Sequence, residues 1–402
     1  MLAPYRKVLA IPGALHFSSA GVLARLPMSM VTISIVLLVE AVYHSYTLAG
    51  QVAAVYTVAQ AVCAPQLAKL VDARGQARIM RPSLVAAMTG LVGVAMVGML
   101  HGPAWVLYPA AALAGATVGS MGALVRARWN RVVDGSRQLH TAYSLESALD
   151  ELVFVIGPVL ATTLAAAISP VAGLFIAIVA AGGGGFWFLA QRATEPTAAG
   201  RPVVGERGSV MRSPGSVIIA VVFVAMGAIF GSVDVATVAF AQASGAPGLA
   251  GVVLGVFACG SLISGLLYGA REFTMPAWKR FVIGIVALAA GICLFVLAET
   301  LWLLAGAMFV TGFAIAPTII TGNALVQQLV PPSRLTEGLT WVGTAIGVGF
   351  AIGSSVGGRV IDLHGAHAGY FVSMAAAGLA ALIALATAAL LRAVTTRGVS
   401  RG

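Results

Sequence analysis

Charge is what this sequence has least of. Its 402 residues include 23 Lys+Arg and 13 Asp+Glu, 9% of the chain, where an ordinary soluble domain carries about 25%. So few solvating groups exclude a water-soluble enzyme of this size. Cysteine is equally scarce: Cys63, Cys259 and Cys293 all fall in apolar segments, with no CxxC and no His or Asp grouping nearby, which argues against structural disulfides and metal centres. No G-x-x-x-x-G-K loop is present, nor a soluble segment large enough to hold ATP. No cofactor is expected, and any uphill work must draw on a gradient.

What is abundant is hydrocarbon. Hydrophobic residues make up 59% of the chain and glycine contributes 48 positions, the mixture found in helices that pack against one another in lipid. The apolar runs are long and unbroken instead of alternating, so the spans are helices and not barrel strands. Charge-free windows, broken at signals such as His101-Gly102-Pro103 and Ser169-Pro170, predict an all-α membrane protein with spans near 15–40, 50–70, 82–100, 104–126, 142–167, 170–190, 216–240, 249–270, 279–298, 301–326, 338–360 and 368–391. Arg6 and Lys7 precede the first of them, which is read as a retained helix and not a cleaved signal.

The net charge of +10 has its source in orientation. With the N-terminus inside, every basic residue except Arg25 and Arg359 falls in or beside a cytoplasmic segment, the distribution expected when positive loops stay inside. Both termini are then cytoplasmic, and no nucleic-acid partner is needed to explain the charge.

A shift of 201 places sets Leu48-Ala49-Gly50 on Leu249-Ala250-Gly251, Val55-Tyr56 on Val256-Phe257, and Ala123-Leu124-Val125 on Ala324-Leu325-Val326. Ser136-Arg137 meets Ser333-Arg334, and Gly157 meets Gly353, at slightly smaller shifts. The pattern predicts two pseudo-symmetric six-helix bundles, 1–190 and 215–402, joined by a cytoplasmic linker, 191–214. Parallel repeats of this kind are the architecture of alternating-access transporters.

With these features the chain resembles the major facilitator superfamily over essentially its whole length, in particular a bacterial, drug- or metabolite-efflux branch. The loop Leu67-Ala68-Lys69-Leu70-Val71-Asp72-Ala73-Arg74-Gly75-Gln76-Ala77-Arg78 looks like the family's signature loop, with Ala73 where a basic residue is usual and Arg74 displaced by one. Gly157-Pro158 matches the end of a glycine-rich run in span 5 of the drug/proton antiporters; the basic residue those proteins carry inside span 4 has no counterpart, since Arg126 and Arg128 lie at its cytoplasmic end. The resemblance implies that Asp72, Arg74, Gly75 and Arg78 stabilise one conformation as a gating loop, and that span 10, with Thr311, Thr318, Thr321 and Asn323 around Pro317, faces the substrate cavity.

Ionisable groups inside apolar spans cost at least about 2.5 to 3.5 kcal/mol each, which makes them candidates for function. Arg25 sits about 15 Å into span 1 and needs an anion. In span 5, Glu146 and Asp150 share a face and Glu151 follows. Arg25 is expected to pair with Asp150, and Glu146 with Arg126 or Arg128, either as a static pin between helices 1 and 5 or as part of transport. Asp234 in span 7 has no cation at its depth, which suits it to carry a proton; the competing reading places it, hydrated, near the outer interface. Glu40 and His44 end span 1 and read as interfacial. The glycines of span 11, Gly343, Gly347, Gly349, Gly353, Gly357 and Gly358, read as helix packing. The chain is thus expected to be a monomeric inner-membrane transporter, exporting a small, rather apolar molecule against protons. An importer or facilitator, or a receptor that kept the fold, are the alternatives.

Overall fold

The structure, a computed structural model, describes residues 3–44, 46–198, 210–246, 249–271 and 273–399. Helix is the regular structure throughout these residues. At bilayer depth no water satisfies the peptide groups, and a helix closes its N–H and C=O groups within its own segment.

Twelve helical segments are long and apolar enough to cross a membrane. We number them α1 Ala14–Tyr43, α2 Leu48–Arg74, α3 Gln76–Met99, α4 Ala104–Val132, α5 Ser136–Ala165, α6 Ala172–Ala190, α7 Pro214–Ala243, α8 Ala250–Gly269, α9 Ala277–Val296, α10 Leu301–Leu329, α11 Pro332–Ile361 and α12 Ala366–Ala386. Each coincides with one window read from the sequence. Several run further than their charge-free cores, because an amphipathic turn can continue a helix into the interfacial layer. Short helices Ala3–Leu9 and Ala388–Val399 flank the set. Of the expected linker and basic tally, residues 199–209 and Arg401 lie outside the described residues.

Two compact units are present. The first comprises Arg6–Gly135 and Leu149–Arg207; the second comprises Met1–Tyr5, Ser136–Ala148 and Gly208–Gly402. The first two-fifths of α5 thus belongs to the second unit. The core of the first unit is an apolar cluster including Met30, Ile35, Leu38, Tyr56, Leu91, Leu107 and Leu174. In the second, α7 and α11 lie backbone against backbone along Gly349, Gly353 and Gly357, facing Val224, Ala228 and Ser232; Gly343, Gly347 and Gly358 of the same helix face open space.

Two of the twelve are broken, which hydropathy alone does not reveal. α4 divides into Leu107–Val118 and Met121–Val132, and α10 into Leu301–Gly312 and Ile315–Leu329. At the first break Gly119 takes φ 67° and ψ −165°, a region closed to most side chains. One break falls in each half, though not at positions superposed by the 201-residue shift. A Cβ on Gly115 would collide with the Tyr56 carbonyl oxygen, and one on Gly312 with that of Phe257. Tyr56 and Phe257 are a pair superposed by the 201-residue shift, so the duplication extends to packing geometry.

Candidate functional site

In the first unit, α1, α4 and α5 converge on one carboxylate. Arg25 Nη1 donates to Asp150 Oδ1 at 2.6 Å and Arg126 Nη2 donates to Asp150 Oδ2 at 2.8 Å. Each guanidinium is also tied to its own helix, Arg25 Nε to the Gly21 carbonyl oxygen (3.0 Å) and Arg126 Nη1 to that of Gly122 (3.4 Å). Arg25 is 2% and Arg126 8% exposed, while 20% of the Asp150 side chain remains open. Removing one partner of a buried pair leaves an uncompensated charge and costs about 3–5 kcal/mol. Four residues after Arg25 and three after Asp150, Ser29 Oγ donates to the Val153 carbonyl oxygen of α5 at 2.9 Å, fixing the register of α1 on α5.

The expected Arg25–Asp150 pair is therefore formed, and Arg126 joins it. Glu146 is fully buried and Glu151 partly so. Arg128 points elsewhere. Its Nε donates to Gln76 Oε1 (2.8 Å), and its Nη1 to the Gln191 carbonyl oxygen (2.9 Å) and Thr194 Oγ1 (3.1 Å), with its guanidinium 3.8 Å above the Phe188 ring.

That cluster anchors the signature loop. Asp72 is partly exposed, Arg74 and Arg78 are exposed, and Gly75 turns the chain with φ 93°. Glu195 Oε1 accepts the Ala77 N–H at 2.9 Å while Arg192 Nη1 holds Oε2 at 2.9 Å. A carboxylate at the start of α3 satisfies an orphan donor and complements the helix dipole. Gln76, Thr194 and Glu195 were not singled out from the sequence. The only signal was an acidic residue just after span 6, and its partner lies 118 positions away. The first residues of the expected linker, Gln191 to Glu195, are thus packed on the first unit.

In the second unit Asp234 is partly exposed and has no hydrogen bond or ion pair among the described residues. Hydroxyl pairs on either side of it, Ser232 with Ser373 (2.8 Å) and Thr237 with Tyr370 (3.2 Å), tie α7 to α12. The threonines of α10 are turned inward on their own helix: Thr311 donates to the Ala307, Thr318 to the Ala314 and Thr321 to the Pro317 carbonyl oxygen, at 2.6 to 2.7 Å. Thr311 and Thr318 also face Gly291 and Gly284 of α9, and Asn323 is buried.

Comparison with known sequences and structures fits this geometry. The profile described as Major Facilitator Superfamily matches residues 17–282 and 247–401. The chain belongs to the major facilitator superfamily. No curated protein matches it. Among solved structures this superfamily member is similar to a bacterial homologue of the iron transporter ferroportin in an outward-facing state (TM-score 0.74, 16% identity, 92% of this chain and 98% of that one). It is also similar to the E. coli fucose:proton symporter FucP (0.73, 11%, 93% and 98%) and to the human organic anion transporter MFSD10 (0.67, 14%, 95% and 99%). At these identities the likeness is one of fold. The superfamily consists of transporters of small molecules embedded in the bilayer, so this chain is a multi-pass membrane transporter.

Proposed function

We infer that this transporter works by alternating access and exports a small, rather apolar molecule in exchange for protons, in the plasma (inner) membrane with both termini cytoplasmic. The observation that carries the coupling is Asp234, a carboxylate inside an apolar helix with no cation or donor upon it among the described residues. A group so placed can change protonation without first breaking an ion pair, unlike Asp150. The scarcity of charge in the spans supports an apolar cargo, and the basic cytoplasmic segments support the orientation. One proton moving down about 100 mV releases about 2.3 kcal/mol, enough for roughly a fifty-fold gradient.

Proteoliposomes with an imposed pH gradient test this. Uphill flux is expected in the wild type, and only downhill flux after Asp234→Asn. Uphill flux surviving the substitution removes Asp234 from the coupling step. Downhill flux alone in the wild type makes the protein a facilitator, and binding without flux makes it a receptor.

A further inference from the structure

In the first unit α3 and α6 lie side by side and antiparallel. A Cβ on Gly182 would meet the Met88 side chain and one on Gly185 that of Leu84, while Arg81 Nη2 donates to the Leu189 carbonyl oxygen (3.0 Å). On one side of this seam each helix carries exposed hydrocarbon seven residues apart, Val85 and Val92 on α3, Val179 and Phe186 on α6. Two successive turns bring such positions back to one face. Thr89, the exposed polar residue on that side of α3, turns its hydroxyl back to the Val85 carbonyl oxygen (2.9 Å). Gly183 is exposed too, and a Cβ there would touch nothing. The seam is therefore bordered by a shallow apolar groove on a face that meets lipid.

The groove ends in cations. Counting back along α3 and forward along α6 from the seam contacts sets Arg78, seven residues before Val85, level with Arg192. Arg78 is exposed and has no partner among the described residues. Arg192 keeps Nη1 on Glu195 Oε2 (2.9 Å), and Glu195 Oε1 accepts the N–H of Ala77, the neighbour of Arg78 (2.9 Å). Arg78, Arg81 and Arg192 thus surround one carboxylate, and both of its oxygens are already taken. Phe186 and Trp187 are exposed within two turns of these cations, where aromatic rings mark the boundary between hydrocarbon and headgroups. A guanidinium fork matches two oxygens of a phosphodiester. A choline head would bring one more cation to a place already positive.

We propose that the end of the α3/α6 seam is a binding site for an anionic phospholipid, with Arg78, Arg81 and Arg192 around its phosphodiester and an acyl chain in the groove beside Gly183. Charge complementarity selects the head and the exposed hydrocarbon selects the tail. The site requires only that the chain lies in a bilayer, and it stands or falls independently of cargo, direction and coupling.

The test is native mass spectrometry of the purified full chain in detergent, titrated with phosphatidylglycerol and phosphatidylcholine of identical acyl chains. Phosphatidylglycerol is expected to bind about five-fold or more tighter. The triple variant Arg78→Gln, Arg81→Gln, Arg192→Gln should bind both lipids alike, whereas Arg131→Gln, Arg271→Gln, Lys279→Gln, which removes as much charge elsewhere, should keep the preference. No preference in the wild type, or equal loss in the two triple variants, would overturn the proposal. Arg78→Gln alone alters a side chain with no partner, so it serves where the triple variant fails to fold. It should lower the preference at least two-fold, and an unchanged preference would again overturn the site. Glycerophosphoglycerol, the same head without acyl chains, is expected not to displace the lipid at equal concentration; displacement would assign the cations to a soluble phosphate and end the lipid reading.

Discussion

Asp150 accepts from two arginines through different oxygens, so each substitution around it should have its own size. Arg25→Ala leaves Asp150 one cation short and is expected to destabilise by about 3–5 kcal/mol. Ser29→Ala removes one neutral hydrogen bond and should cost about 1 kcal/mol. Thermal unfolding followed by tryptophan fluorescence checks the ratio; equal losses would mean that the ion pair does not hold α1 to α5. The pair was legible in the sequence because a lone arginine deep in an apolar span demands an anion, and Asp150 stood at a similar depth. The share taken by Arg126 was not, since Glu146 lies on the same helix face and spacing cannot choose between them. Arg128 was still less legible. Its partners are neutral amides, a hydroxyl and a ring, far apart in the chain and without a charge to announce them.

At the scale of elements, hydropathy located every span and missed both breaks, because a chain that stops and restarts within lipid is as apolar as one that does not. Glycine carried the information, but glycines abound here and only the packing shows which ones matter. Gly115→Leu and Gly312→Leu should be comparably severe, since both push a side chain into the carbonyl of a facing helix; loss of folded, monodisperse protein on size exclusion is the readout. Gly119→Ala should cost about 1–2 kcal/mol for its positive φ. Gly183→Ala, where an added Cβ meets nothing, should be neutral or stabilising by up to about 1 kcal/mol. If Gly183→Ala proved as harmful as Gly119→Ala, the conformational argument for the break would fail. The α10 threonines teach the converse lesson. Polar residues in a helix suggest a cavity, yet an intrahelical carbonyl is always within reach of such a hydroxyl, and here it claims all three.

Across the whole molecule, the duplication read from a handful of matched residues proved to be a repeat of packing, down to the carbonyls of Tyr56 and Phe257. Orientation is open to a direct check. Single cysteines at Arg78 and Arg137 in a background lacking Cys63, Cys259 and Cys293 should be blocked by a membrane-impermeant maleimide only in inverted vesicles; labelling in right-side-out vesicles would reverse the assignment. The contact between Glu195 and Ala77 bears on where this polypeptide can be cut. A gene divided after codon 198 leaves the clasp on the front fragment, and the two pieces should reassemble when made together. Dividing it after codon 190, where the sixth crossing ends, hands that clasp to the wrong piece. The front fragment should then be recovered in lower yield and melt earlier, so the natural seam of this protein lies several residues beyond its last buried turn.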